Sequence, residues 1–281
     1  MKVTSTVAEL RDSLQPHRRA GRSIALVPTM GAFHEGHLAL MRAARAGADV
    51  VVVSLFVNPT QFGPSEDLAA YPRDFERDRA LAAAEGVDLL FAPGAREVYP
   101  DGFDTQVVVG GLTDTLEGES RPGHFTGVAT VVTKLLNMVG PDVAWFGQKD
   151  AQQALVIRKL VRDLNIPVRI EVAPTVREPD GLALSSRNAY LSDDERSRAA
   201  ALSRALAAAE REVAAGSRGA AAVLAAARAE LDAAGVEPEY LELRSADDLS
   251  PAERVNGNTL LAVAARVGRA RLIDNTMLGG T

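Results

Sequence analysis

The run Val50-Val51-Val52-Val53-Ser54-Leu55-Phe56-Val57 is rich in β-branched residues and apolar at odd and even positions alike. A strand with one solvated face alternates in polarity. One that is apolar throughout is covered on both faces, as a central strand of a parallel sheet is. The segment therefore asks for helices above and below it. Nearby sequence supplies them: residues 24–27 form a second apolar run, and Leu38, Leu40, Met41 and Ala44 behind it suit a packed helix. Val7, Leu10 and Leu14 recur at helical spacing within residues 4–19. Further strands are predicted at 89–91, 106–109, 143–146 and 168–172, with helices over 74–85 and 128–139.

Beyond this α/β half the composition changes. Ser192-Asp193-Asp194-Glu195 combines a capping residue with an acidic first turn, which starts a helix. Alanine dominates from 199 to 234 and is broken at Gly216 and Gly219, the pattern of a helical hairpin. Three short strands are predicted at 239–244, 259–266 and 271–275. The expected organisation is a parallel-sheet domain over 1–176 and a smaller α+β domain over 177–281, with a short three-stranded sheet and helices.

Charge and composition narrow the chemistry. The chain of 281 residues carries 31 basic against 37 acidic side chains, net −6, with no long basic block. Extended nucleic-acid binding needs a concentrated positive surface and is not expected. There is no cysteine, which excludes disulfides, thiolate metal sites and thioester intermediates on the protein. A carboxylate would then be activated in mobile form, as an adenylate. The longest apolar run falls short of the ~20 residues that span a bilayer, and no signal-peptide core follows Met1-Lys2-Val3-Thr4. No membrane role is expected, and a cytoplasmic protein is.

The strand at 24–27 leads into Val27-Pro28-Thr29-Met30-Gly31-Ala32-Phe33-His34-Glu35-Gly36-His37 and then a helix. A helix N-terminus presents unpaired N–H groups and the positive end of its dipole, so polyanions bind there. Gly31 and Gly36 let backbone approach a ligand, and His34 and His37, three apart, project to one side as phosphate donors. The geometry recurs at Gly147-Gln148-Lys149-Asp150, where Lys149 places a point charge at a glycine turn after a strand. Asn58-Pro59-Thr60-Gln61 follows the valine run: its amides either cap a turn or meet a ligand. Residues 118–125, with Arg121 and His124, form either a lid or an ordinary helix entry. Asp78 is the one carboxylate put forward for a magnesium-linked role.

His34-Glu35-Gly36-His37 resembles the His-Ile-Gly-His signature of the nucleotidyltransferase superfamily that includes class I aminoacyl-tRNA synthetases. The longer string from Pro28 to His37 resembles the opening motif of the pantoate–β-alanine ligase family. Gly181-Leu182-Ala183-Leu184-Ser185-Ser186-Arg187 resembles the superfamily's Lys-Met-Ser-Lys-Ser loop, and Arg271-Leu272-Ile273-Asp274-Asn275 a string near the family's end. The family usually has Gly-Glu-Lys-Asp where this chain has Gln148. The resemblance runs from about residue 24 to 275.

It implies a Rossmann-like first domain and an AMP-forming ligase with ATP as substrate and magnesium held mainly by ATP and water. It also implies a homodimer. ATP contacts fall on Met30, Gly31, Ala32, Phe33, His34, Glu35, Gly36, His37, Gly147, Gln148, Lys149, Asp150, Val176, Leu184, Ser185, Ser186 and Arg187. His34, His37 and Lys149 are the catalytic set; Asn58, Gln61, Gln153 and His124 are nominated for pantoate and β-alanine. Two other readings fit the motifs: a nucleotidyltransferase of the same superfamily that adenylates a phosphorylated cofactor precursor, and an ATP-binding regulatory module without turnover.

Overall fold

A computed structural model describes residues 1–63, 68–69 and 71–279. The backbone groups into two compact units, one of residues 1–147 and 152–173, the other of residues 148–151 and 174–281.

In the first unit, β1 (Lys2–Thr4), β2 (Ile24–Thr29), β3 (Val50–Leu55), β4 (Leu89–Phe91), β5 (Val143–Gly147) and β6 (Arg169–Ala173) form one sheet in the order β1-β4-β3-β2-β5-β6. Every pairing is parallel. The valine run is β3, and Val50 through Val53 are at most 1% exposed, as a two-sided apolar strand requires. The helices are α1 (Val7–Arg19), α2 (Glu35–Gly47), α3 (Phe75–Ala84), α4 (Ala95–Val98), α5 (Glu117–Ser120), α6 (His124–Val139) and α7 (Ala151–Asp163). Met41 and Ala44 of α2 pack on Ala25, Val27, Val51 and Val53, which is why the helical spacing after His34 carries its apolar residues where it does.

The chain places β3 along one edge of β2 and later lays β5 along the other. In such sheets ligands bind in the crevice outside the carboxyl ends where the winding reverses. Here that crevice opens between the ends of β2 and β5, at Thr29 and Gly147.

One expectation changes, and one strand went unpredicted. Residues 106–109 form no strand: Val108 is 71% exposed, and the Val107 N–H donates to the Thr130 hydroxyl on α6 at 3.0 Å instead of to a ladder. Three valines in four residues could not show that a side chain would satisfy this backbone. Conversely, β1 was too short to signal itself and is defined by its pairing with β4.

The second unit holds α8 (Asp193–Ala199), α9 (Ala201–Ala214), α10 (Ala220–Ala233) and an antiparallel sheet of β7 (Pro238–Ser245), β8 (Thr259–Val267) and β9 (Ala270–Leu278), in that order. Ser192 and Glu195 cap α8 reciprocally. The alanine-rich hairpin is α9 and α10; Ala205, Ala209 and Ala227 are wholly buried against Leu261 and Val263 of β8. Alanine on these faces lets helix and sheet approach closely.

Candidate active site

The loop leaving β2 takes a left-handed path at two consecutive residues, Gly31 with φ +87° and Ala32 with φ +53°. For a residue with a Cβ that region costs about 1–2 kcal/mol. Asp78 of α3 holds the loop there: its two carboxylate oxygens accept from the N–H groups of Ala32 at 2.8 Å and Phe33 at 2.7 Å. A Cβ on residue 31 would stand 2.9 Å from Asp78 Oδ2, so the close approach requires glycine. Asp78 is 1% exposed, with both oxygens engaged by backbone. The magnesium role expected of it does not fit this donor geometry.

Two imidazoles cap the helix that follows. His34 is the N-cap of α2, and its Nδ1 accepts from the Gly36 N–H at 3.1 Å; His37 Nδ1 accepts from the His34 N–H at 3.3 Å. This reciprocal arrangement does with two histidines what Ser and Glu do in an ordinary capping box. A neutral imidazole that accepts at Nδ1 carries its proton on Nε2. Both rings, with centroids 4.2 Å apart, are thereby set as Nε2–H donors at the positive end of the helix dipole. Glu35 turns away, half-exposed and paired with Arg42; only its backbone belongs to the anion-facing turn.

The loop leaving β3 is organised by Asn58, which is 1% exposed. Its Nδ2 donates to Gln61 Oε1 at 3.0 Å and to the Gly127 carbonyl at 3.2 Å. Its Oδ1 accepts from Tyr99 Oη at 2.7 Å and Thr60 Oγ1 at 3.0 Å. The carboxamide is satisfied within the protein, so what Asn58 supplies is the placement of Gln61. Burial raises the Tyr99 pKa above its usual value, against a smaller lowering by the Thr60 hydroxyl, which keeps the phenol a donor. Gln61 Nε2 lies 3.2 Å from Met30 Sδ, so the β2 and β3 loops touch. His124, at the start of α6, lies with Nδ1 2.9 Å from the Gln61 carbonyl and Nε2 3.0 Å from Arg121. A carbonyl only accepts, which puts the His124 proton on Nδ1.

Gly127 and Tyr99 carry this arrangement, and Gln152 ties the segment at 112–117, without any signal in the sequence. A Cβ at 127 would sit 2.4 Å from the Thr60 carbonyl oxygen, so a glycine inside α6 lets the Asn58 loop reach the helix backbone. Gln152, 6% exposed, donates to the carbonyls of Leu112 and Thr115 and accepts from the Glu117 N–H. Its neighbour Gln153, the residue nominated for substrate, is half-buried on the same first turn of α7.

The remaining nominated residues lie in the second unit, apart from Gly147 at the end of β5. Gln148–Asp150 form a 3-10 turn, with Lys149 Nζ 3.3 Å from the Asp150 carboxylate. Residues 176–188 form a hairpin: Arg177 bridges Ala183, and the Leu184 N–H donates to the Val176 carbonyl at 3.0 Å. Ser185 Oγ accepts from the Arg187 N–H at 3.3 Å as a cap. Asn188 ties the hairpin through Glu178 and the Ala183 carbonyl, and Arg196 pairs with both Glu178 and Asp180. Ser186 is half-buried and Arg187 exposed.

A doubly wound parallel sheet whose switch point carries a histidine-capped helix N-terminus defines a nucleotide-handling α/β protein. The relatives narrow that class. The chain matches the family model described as pantoate-β-alanine ligase over residues 2–277. A pantothenate synthetase of Moorella thermoacetica is 56% identical over 279 residues, 99% of each chain. The crystal structure of pantothenate synthetase from Thermus thermophilus superposes with a TM-score of 0.94 at 50% identity, covering 99% of each chain. A pantoate-β-alanine ligase from Francisella tularensis, complexed with β-γ ATP and β-alanine, superposes with a TM-score of 0.81 at 33% identity over 99% of this chain and 97% of that one. The chain belongs to the pantoate-β-alanine ligase family.

Proposed function

We propose that the protein condenses pantoate with β-alanine at the expense of ATP, giving pantothenate, AMP and pyrophosphate through a bound pantoyl adenylate. The observation that carries this reading is the contact between the β2 and β3 loops. One offers two imidazole Nε2–H donors at a helix N-terminus, and the other a carboxamide suited to a small hydroxy acid. A carboxylate held by the second loop would meet an α-phosphate held by the first.

In the first step a pantoate carboxylate oxygen attacks the α-phosphorus, the bond to the β-phosphate oxygen breaks, and pyrophosphate leaves. Negative charge grows on the non-bridging and leaving oxygens. His34 and His37 donate to the former, while Lys149 and the Ser185, Ser186 and Arg187 hairpin serve the phosphates and pyrophosphate. No group needs to act as a covalent nucleophile; the catalysis is positioning and electrostatic stabilisation. In the second step the neutral amine of β-alanine attacks the acyl carbon, AMP departs, and the nitrogen gives up a proton. Gln61, placed by Asn58, and Gln153 orient pantoate, and His124 bounds the same loop. The mixed anhydride is hydrolytically fragile, so exclusion of water is part of the reading.

Magnesium would be held mainly by ATP and water, since both Asp78 oxygens accept from the loop amides; its charge would assist departure of pyrophosphate. A cytoplasmic homodimer is the expected working form. Among the described residues no helix is long and apolar enough to cross a membrane.

The test is pantoate-dependent exchange of labelled pyrophosphate into ATP, followed by product analysis. Exchange and an amide product are expected. A stable dinucleotide would favour adenylation of a phosphorylated acceptor, and nucleotide binding without turnover would favour a regulatory module.

A further inference from the structure

The string Arg271–Asn275 has no part in the chemistry above, yet its last two residues hold both phosphate-type loops of the second unit. Asp274 and Asn275 lie on β9, an edge strand of the small sheet, and are 3% and 5% exposed. Asn275 Nδ2 donates to the carbonyls of Gln148 at 2.9 Å and Lys149 at 2.8 Å, and its Oδ1 accepts from Gln148 Nε2 at 2.9 Å. Two carbonyls on one side oblige the nitrogen of Asn275 to face them. Its oxygen then needs a donor, and the Gln148 carboxamide provides one where a carboxylate could not. Asp274 takes Arg177 in a two-pronged pair, Nη1 at 2.6 Å and Nη2 at 3.0 Å, and accepts the Asn275 N–H at 2.8 Å. Arg177 Nη1 also donates to the Gly181 carbonyl at 3.1 Å, inside the hairpin that presents Ser185 to Arg187. Burial works against the charge of Arg177, but the Asp274 carboxylate outweighs it and its pKa is raised. Successive strand residues face opposite ways, so one dipeptide serves two loops.

We propose that Asp274 and Asn275 are positioning residues of the ligase, holding the Lys149 turn and the 177–187 hairpin to one strand so that the groups gripping the triphosphate are set as one body. The inference rests on the reading of Lys149 and Arg187 as triphosphate contacts. Lysine is a point charge on a four-carbon stem, so its backbone anchor sets the region its charge can reach. A misplacement of about 1 Å costs on the order of 10²-fold in rate.

The experiment is pantoate-dependent ATP–pyrophosphate exchange by the full chain, comparing Asn275→Ala, Lys149→Ala and the double variant, with Asp274→Asn against Arg187→Ala as the parallel cycle. Asn275→Ala is expected to lower kcat on the order of 10²-fold with the KM for pantoate little changed. The double variant should be no slower than Lys149→Ala alone, because Asn275 acts through Lys149. A role confined to folding predicts instead a lower melting temperature with losses that multiply, and multiplied losses overturn the proposal. So does full exchange by a folded Asn275→Ala. If that variant does not fold, Asn275→Ser, which keeps a single donor, carries the same cycle. Absence of exchange in the unsubstituted protein refutes the ligase reading, and this inference with it; exchange there with an unimpaired variant refutes this inference alone.

Discussion

Replacing Asp78 by alanine removes the group that keeps the β2 loop in its left-handed path, and the consequence can be worked from the geometry. Each of the two N–H bonds runs to a charged acceptor, and leaving either donor buried without a partner costs about 1–3 kcal/mol. The Phe33 donor is buried and the Ala32 donor part-buried, so the loss of stability is expected at about 1–3 kcal/mol from the first and a smaller amount from the second. The functional effect is smaller and separately readable. The strain of Ala32, about 1–2 kcal/mol, would no longer be opposed. At about 1.4 kcal/mol per factor of ten, the loop would then occupy its anion-facing path roughly 5- to 30-fold less often, and apparent ATP affinity would fall by the same factor. Two assays check this: hydrogen exchange of the Ala32 and Phe33 amides, which should become fast, and the KM for ATP, which should rise while that for β-alanine does not. Unchanged exchange protection would refute the bracing role. Rescue of the variant by excess magnesium would refute it as well, and would restore Asp78 as a metal-linked group.

Three further outcomes follow from the same site. Gly127→Ala puts a methyl 2.4 Å from the Thr60 carbonyl; overpacking of this kind costs about 1–3 kcal/mol, read by urea unfolding, and displacing Gln61 should raise the KM for pantoate. His34→Asn keeps a capping acceptor but loses the Nε2–H donor. Its stability should stay within about 1 kcal/mol while exchange falls about 10²–10³-fold; His34→Ala should lose both. Tyr99 has its pKa raised by burial, so its phenol stays protonated when the unfolded chain ionises near its ordinary value of about 10. The stability it contributes is present below that pH and is lost as pH rises towards the folded value; alkaline denaturation compared with Tyr99→Phe, and the tyrosinate absorbance of the folded protein, measure it.

The class of fold was legible because its signals are local. Four consecutive valines state a strand covered on both faces, whatever packs there, and the break at Gly216 and Gly219 states a hairpin. The glycine turn, His34 and His37 lie within seven residues, so the strand–turn–helix and its anion-facing end can be read in one window. Residues 106–109 mark the limit of such reading, since four residues cannot report that Thr130 will take their backbone N–H.

What the amino-acid pattern could not reveal is which partner each polar side chain meets across the chain. Asp78 reads as a magnesium-linked carboxylate until folding brings it to amides 46 and 45 positions away. Asn58 reads as a ligand group until Tyr99 and Gly127 are seen to satisfy it, and Asn275 as part of a terminal motif until it is found on the carbonyls of Gln148 and Lys149, 127 and 126 positions earlier. Periodicity and capping are set by neighbours along the backbone. The engagement of a buried donor or acceptor is set by the requirement that it be paired somewhere, and packing chooses the place.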